Sequence, residues 1–177
     1  MKWLLIILAV VVVLVVLVYV IGALMPVKHS ASRAARFRQK PETIFAAITD
    51  WRAFPTWRPE LKEVRERQGI AGGASWVEVS REGEIAMEVV ESDAPRRLVG
   101  RIADPERKLP FGGTWTYVIE PAPDGTGCTL TITEDGEVYP PPFRFMSRYV
   151  FGHTATMEKY LKNLARKFGE EPQFVQR

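Results

Sequence analysis

The sequence contains very little cysteine and histidine, and this excludes several classes of small protein. Cys128 is the only cysteine among 177 residues, so no disulfide can form within the chain and a disulfide scaffold is excluded. The two histidines, His29 and His153, cannot build a zinc site with a single cysteine. Phosphate-binding loops of the forms GxxxxGKS, GxxxxGKT and GxGxxG are also missing. We therefore expect neither a metal nor another cofactor.

Acidic residues are missing from the part of the chain where basic residues gather. Residues 26–40 carry five Lys or Arg and no Asp or Glu, whereas residues 41–177 carry 18 Lys or Arg against 21 Asp or Glu. A nucleic-acid-binding domain needs a basic face of its own, so we expect no nucleic-acid partner. A basic stretch beside a hydrophobic run is instead typical of contact with anionic lipid headgroups.

A long hydrophobic run at residues 3–25 predicts a membrane span. Gly22 is the one residue of the 23 outside the hydrophobic set, and a helix of this length would measure about 34 Å against a hydrocarbon core of roughly 30 Å. The alternative is a cleaved signal peptide, whose apolar region is usually about 7–15 residues long and precedes a small-x-small cleavage site. Residues 25–29 (MPVKH) do not fit such a site. We assign residues 1–27 to a single transmembrane anchor, with the lipid bilayer as a partner.

The side of the membrane on which the domain lies has two interpretations. More positive charge follows the run than precedes it, which favours a cytoplasmic domain. A very short amino terminus of the form Met-Lys is instead typical of a signal anchor, which exports the domain that follows. We expect a single-pass membrane protein with a cytoplasmic domain.

The rest of the chain predicts one α+β domain over residues 28–170 and a tail over 171–177. Residues 26–32 are expected to form a connector, 32–38 a first strand, and Pro41 the start of a helix with an apolar stripe. Six strand-like segments separated by turn signals follow, at 61–67, 75–80, 84–92, 97–103, 114–120 and 128–138. Their spacing predicts an antiparallel meander.

A helical period after Pro140-Pro141-Pro142 predicts one long helix that ends near Phe168. Seven residues fall on one face of it, namely Met146, Val150, His153, Met157, Leu161, Leu164 and Phe168. We expect this apolar face to pack against the apolar face of the sheet.

Four local motifs, in this order, resemble one known superfamily. They are KPETIF at 40–45, Asp50 with FPTW at 54–57, GTWTY at 113–117 and GCTLT at 127–131. Over about residues 30–168 the chain resembles the SRPBCC superfamily, the START-like proteins that include polyketide cyclases, dehydrases and lipid-transport proteins. The resemblance implies a helix-grip fold, in which an antiparallel sheet wraps around a long carboxy-terminal helix with an apolar cavity between them. It implies no particular activity, because such superfamilies share a cavity and little chemistry.

Two polar residues are candidates for chemistry inside this cavity. His153 lies at the centre of the helical stripe, where a neutral imidazole could orient a ligand or act as a base; the alternative is a core histidine bonded to one neighbour. Glu134 continues the alternation of Leu130 and Ile132 on the apolar face, where desolvation would raise its pKa and allow an acid/base pair with His153. The alternative is that the strand has ended and Glu134 is solvated.

Aromatic and aliphatic side chains at strand and helix spacing are candidates for lining the ligand site, although the same pattern describes an ordinary core. The predicted lining residues are Trp76, Met87, Leu98, Trp115, Tyr117, Leu130, Ile132, Glu134, Tyr149, His153 and Met157.

Three functions fit these observations. The first is a membrane-anchored, non-catalytic binding module for a hydrophobic small molecule or lipid. The second is a cyclase- or dehydratase-like enzyme that acts on an apolar polyketide-type substrate, with Glu134 and His153 as acid and base. The third, a structural partner of a membrane complex, predicts a large exposed apolar patch on the domain.

Overall fold

The computed structural model describes residues 1–69 and 73–175, so residues 176 and 177 of the predicted tail lie outside it. Five helices and eight strands follow one another in the described chain. They are α1 (Lys2–Leu24), β1 (Lys28–Phe37), α2 (Pro41–Thr49), α3 (Phe54–Trp57), β2 (Leu61–Arg67), β3 (Ser75–Ser80), β4 (Glu84–Asp93), β5 (Arg97–Ile102), β6 (Phe111–Pro121), β7 (Cys128–Val138), α4 (Pro141–Met146), α5 (Ala155–Lys167) and β8 (Gln173–Val175). A 3₁₀ turn (Trp51–Ala53) precedes α3, and a π-helical turn (Ser147–Phe151) follows α4.

Helix α1 is long and apolar enough to cross a membrane. Most of its large apolar side chains are exposed. Gly22 is its one buried residue; a Cβ atom there would collide with the backbone carbonyl of Pro141. The absence of a side chain at Gly22 therefore lets α4 pack closely against the last turns of α1.

The eight strands form one antiparallel sheet in the order β2-β3-β4-β5-β6-β7-β1-β8. The predicted meander is confirmed, with β1 beside β7 and the short β8 beside β1. The first strand begins at Lys28 rather than at residue 32, because Lys28 pairs with Glu137 at the end of β7. The predicted connector over residues 26–32 is therefore mostly strand.

Helix α2, the 3₁₀ turn and α3 close one side of the sheet. Pro41 stands in the first turn of α2, where its missing N–H has no intrahelical partner to lose. Trp51 stacks on Trp76 of β3 with ring centroids 5.9 Å apart, and Phe54 meets Trp76 edge to face. These ring contacts hold α3, and the Arg58 that follows it, against the sheet.

The predicted single long helix is wrong, because the chain breaks at Gly152. Gly152 has a φ of 72°, which no residue inside a right-handed helix adopts. Helix α4 and the π turn precede this break, and α5 begins only at Ala155. The periodicity of the apolar residues gave the correct face for α5, but periodicity alone carries no information about continuity.

Helix α5 covers only part of the concave face of the sheet. Glu158 in its first turn accepts a hydrogen bond from Arg33 of β1 at 2.8 Å, and Glu170 beyond its end accepts one from the Arg38 backbone at 3.0 Å. The helix therefore runs along β1, away from α1. Beneath it lie fully buried side chains from β7 and α5, namely Leu130, Ile132, Met157, Leu161 and Leu164.

Candidate functional site

The concave face is closed under α5 and partly open between α5 and α1. Leu130 and Ile132 are 0% exposed, whereas the next concave-face residue of β7, Glu134, has 24% of its side chain exposed. We call the partly buried stretch the open part of the concave face; its members are Ala31, Met87, Val89, Trp115, Tyr117 and Glu134. Glu134 pairs with Ala31 and Trp115 on the flanking strands, and the next pair toward α1 is His29 with Gly136. The open part therefore faces the α1 end of the sheet.

Gly100 leaves a gap in the floor of the open part. It pairs with Val89 on one side and Trp115 on the other, so it stands on the concave face between them. A Cβ atom at Gly100 would contact only the Met87 Cε at 3.8 Å and the Glu88 carbonyl oxygen at 3.9 Å. A methyl-sized group therefore fits over the buried Gly100 without movement of the backbone.

Tyr160 of α5 borders the open part and joins it to the covered core. Its ring lies 5.9 Å from Trp115, 5.7 Å from Tyr117 and 5.2 Å from Trp57, measured between centroids. The Trp57 Nε1 is buried without a hydrogen-bond partner among the described residues, whereas the buried Tyr160 hydroxyl interacts with the Tyr117 hydroxyl. Burial raises the pKa of Tyr117 and of Tyr160, so both hydroxyls keep their protons at neutral pH. A buried donor without a partner gains from a ligand acceptor placed beside it.

An ion pair beside Tyr160 was missed by the sequence analysis. The Arg58 guanidinium donates to both carboxylate oxygens of Glu78, at 2.7 and 2.9 Å, and each side chain is only 13% exposed. Burial by itself lowers the pKa of Arg58, but the adjacent Glu78 carboxylate outweighs it and raises the pKa. The Trp76 Nε1 also donates to Glu78, at 3.2 Å. Because Glu78 follows Trp76 by two residues in β3, strand alternation could have placed it on the concave face.

Glu134 lies on the concave face, as the alternation of β7 predicts. Burial raises its pKa, partly offset by a hydrogen bond from the Trp115 side chain. The nearest ionisable neighbour is His29, whose Nε2 lies 3.7 Å from the Glu134 Oε1. The predicted partner was His153, so the first contact of this carboxyl is with the other histidine of the chain.

The predicted position of His153 on an apolar helical stripe is wrong. His153 lies in the turn after Gly152 and stacks on His29, with ring centroids 4.0 Å apart. Burial lowers the pKa of both imidazoles; the pKa of His29 is lowered further by His153, and that of His153 by Arg148. Both rings are therefore neutral at pH 7. Their π-faces meet, and the assumed acid/base geometry with Glu134 loses its structural basis.

The remaining predicted lining residues fall into three groups. Met87, Trp115 and Tyr117 belong to the open part. A second group is packed in the core, namely Trp76, Leu98, Leu130, Ile132 and Met157. Tyr149 stands on the π turn and is 63% exposed, because the break at Gly152 carries this turn away from the sheet. A ligand contact stays a prediction for the first two groups and loses its basis at Tyr149.

A separate cavity of about 230 Å³ lies at the junction of α1 with the domain. Its walls come from the end of α1, the start of β1 and the segment around the π turn, including His29, Arg144, Arg148 and His153. In residues 1–69 and 73–175 no group of three His, Cys, Asp or Glu side chains is arranged to hold a metal ion. Cys128 is buried, and burial raises the pKa of its thiol to about 11.

Comparison with known proteins identifies the family. Residues 28–169 match the family described as polyketide cyclase / dehydrase and lipid transport. A START superfamily protein from Mycobacterium smegmatis superposes with a TM-score of 0.60 at 18% identity, covering 78% of this chain and 96% of that one.

Two further solved structures share the fold. Truncated norcoclaurine synthase from Thalictrum flavum gives a TM-score of 0.64 at 11% identity, with 82% and 96% of the two chains covered. The di-domain ARO/CYC protein of the steffimycin biosynthetic pathway gives 0.61 at 12%, with 78% and 50% covered. No curated protein sequence matches the chain. The chain belongs to the polyketide cyclase/dehydrase and lipid transport family, and its domain has the START-like, ligand-binding fold of the SRPBCC superfamily.

Proposed function

We propose that the protein is a membrane-anchored module that binds a hydrophobic small molecule or lipid in the open part of the concave face. The observation that carries this proposal is the late start of α5 at Ala155, which leaves Met87 and Trp115 partly exposed around Gly100. A ligand that covers this apolar surface gains about 25 cal/mol of binding free energy for every Å² of apolar surface removed from water.

The ligand's apolar part lies over Gly100, between Met87 and Trp115, and a polar end reaches the Tyr160 hydroxyl. The position over Gly100 takes the apolar part, and the buried hydroxyls of Tyr117 and Tyr160 give the polar end hydrogen-bonding groups. Glu134 borders the same space, and because burial raises its pKa, its carboxyl repels a ligand carboxylate less than an exposed glutamate would.

Anchoring by α1 places this site where hydrophobic ligands are concentrated. The helix is long and apolar enough to span a bilayer, and basic residues follow it over 26–40. That charge distribution supports a cytoplasmic domain, since short segments rich in Lys and Arg stay on the cytoplasmic side. The open part of the concave face then looks toward the cytoplasmic leaflet.

Binding is a better account of the site than catalysis. The cyclase- or dehydratase-like alternative depended on Glu134 and His153 meeting inside the cavity from a strand and a helix. His153 instead lies in a turn and stacks on His29, so the two groups do not meet as that alternative requires.

Fluorescence quenching by a brominated fatty acid tests the proposal. We would use the full chain in detergent micelles with Trp3→Phe, which removes the tryptophan of α1, and dibromostearic acid as the probe. Trp115 borders the proposed site, so we expect saturable quenching that stearic acid reverses and that Trp115→Phe largely removes. Quenching that never saturates would show partition into the micelle alone and would overturn the proposal.

A pair of matched variants locates the site on one face of the sheet. Gly100→Val fills the gap on the concave face, and we expect at least about a tenfold weaker affinity, equal to 1.4 kcal/mol. Thr116→Val places the same side chain on the opposite face of the adjacent strand, and we expect no change. Equal affinities for the two variants would contradict a site over Gly100.

A further inference from the structure

The segment between β7 and α5 exposes an unusual amount of apolar surface. Four large apolar side chains of α4 and the π turn are more than half exposed: Phe143 at 54%, Tyr149 at 63%, Val150 at 58% and Phe151 at 63%. Elsewhere in the described domain, large apolar residues that are exposed reach at most 46%, at Val90. A cluster of this kind on a folded domain marks a surface that another apolar phase covers.

This segment is fixed against the end of α1. The Arg144 guanidinium donates to the carbonyl oxygens of Gly22 at 3.4 Å and Met25 at 3.3 Å, at the carboxy-terminal end of α1. It also donates to the Val138 carbonyl at 3.0 Å, so one side chain ties α1, β7 and α4 together. The exposed apolar residues of the segment therefore lie level with the end of the hydrophobic helix.

Charge distinguishes the same surface from the rest of the domain. Carboxylates are missing from residues 1–41 and from residues 138–157, and all 21 Asp and Glu lie outside these two stretches. The fold brings the two stretches together at the α1 end, where Lys28, Arg144 and Arg148 surround the cavity of about 230 Å³. Anionic lipid headgroups are attracted to such a surface, and the nearby Glu137 carboxylate is itself paired with Lys28 at 3.8 Å and Arg107 at 3.9 Å.

We propose that residues 141–151 form a second membrane contact, in which Phe143, Tyr149, Val150 and Phe151 lie in the headgroup–acyl boundary of the bilayer that α1 crosses. The occupant of this apolar surface is the lipid bilayer itself, because the surface is continuous with the end of the spanning helix. Aromatic and basic side chains together are typical of segments that lie at this boundary. The inference rests on the proposed anchoring by α1, but it concerns a separate contact that anchoring alone does not require.

An environment-sensitive label at one position of the segment tests this contact. Val150→Cys labelled with the fluorophore NBD would be compared with Thr126→Cys, an exposed site on the turn before β7. Cys128 is buried, and the parent chain without an added cysteine reports any labelling of it. The full chain would be reconstituted into vesicles of phosphatidylcholine and phosphatidylglycerol, with and without lipids that carry a doxyl quencher in the acyl chain.

We expect blue-shifted emission and quenching by the doxyl lipid at Val150→Cys, and emission as in water without quenching at Thr126→Cys. Water-like emission at Val150→Cys would overturn the proposal. Blue-shifted emission without doxyl quenching would also overturn it and would point to a protein partner or a second copy. Release of the chain from the vesicles by alkaline carbonate would contradict the anchoring by α1 instead, so the two failures are distinguishable.

Discussion

Two neighbouring parts of the concave face are built from the same strands but differ in how deeply their side chains are buried. Under α5, Leu130 and Ile132 of β7 are fully buried against Met157 and Leu161. Two residues further along β7 toward α1, Glu134 remains partly exposed beside Trp115. Strand alternation is the same in both parts, so the difference comes from the helix above them. The position at which α5 begins, and not the residues of the sheet, therefore determines which part of the concave face is covered and which part stays open.

The strongest perturbation of this arrangement is the loss of the ion pair beside Tyr160. Arg58→Met leaves the nearly buried Glu78 carboxylate without its positively charged partner, and we expect a loss of about 3–5 kcal/mol of unfolding free energy. Arg97→Met breaks the exposed pair with Glu91 and should cost less than about 1 kcal/mol. Urea unfolding of both variants in the same detergent measures the contrast, and similar losses would mean that burial of the Arg58 pair carries no weight.

A pair of methionines measures the two parts of the face directly. Met157→Ala removes a fully buried side chain of α5, and we expect a loss of about 2–5 kcal/mol. Met87→Ala acts in the open part, where the side chain is only partly buried, and should cost about 1 kcal/mol or less. Urea midpoints of the two variants give the comparison. A cost at Met87 equal to that at Met157 would show that the open part is as tightly packed as the covered part.

Replacement of His153 should have a small effect, because this residue lies in a turn and not in the core. His153→Leu removes one ring stack, and such pairs contribute about 0.5–1.5 kcal/mol beyond their buried area. Leucine still covers part of His29, so the melting temperature should fall only slightly, and fatty-acid affinity should stay unchanged. A loss of more than about 2 kcal/mol of unfolding free energy would contradict the position of His153 in a turn and indicate a core residue.

The stacked histidines also predict a modest pH dependence. The pKa values of His29 and His153 are lowered in the folded protein, so the unfolded chain binds more protons as the pH falls through about 6.5 and stability is lost below that value. Glu134 has the opposite sign, because its raised pKa makes protonation favour the folded state.

Melting temperatures near pH 7.5 and near pH 5.5 in a Glu134→Gln background isolate the effect of the imidazoles. Adding His29→Gln and His153→Gln to that background should reduce the difference between the two pH values. An unchanged difference would assign the dependence to other groups.

Local sequence patterns were sufficient for most of the sheet. The predicted bounds of β2, β3 and β7 coincide with the structure, because turn residues and apolar alternation mark both ends of each strand. The start of β1 was missed, since residues 28–31 show little alternation and are held by their pairing with β7. Strand β8 was missed for the same reason, as its three residues carry no signal apart from their partner strand.

The candidate site was less predictable, because it depends on contacts between distant segments. Arg58 and Glu78 meet across 20 residues of chain, and neither forms a local motif with the other. The stack of His29 on His153 joins the start of the first strand to a turn near the last helix. The helical spacing of apolar residues continues through Val150 and His153 and gives no sign of the break at Gly152. The open part of the concave face could therefore not be inferred from the sequence.

The hydrogen bonds of Arg144 determine how firmly α1 is held against the domain. Its guanidinium binds the carbonyls of Gly22 and Met25 at the end of α1 and that of Val138 at the end of β7, so the connection between α1 and the domain is rigid. A flexible linker would let the domain adopt many orientations relative to α1, whereas this connection fixes one. For the proposed anchored binding module, this fixed orientation implies uptake of the ligand from the lipids next to α1, and an acceptor of that ligand would have to approach the domain.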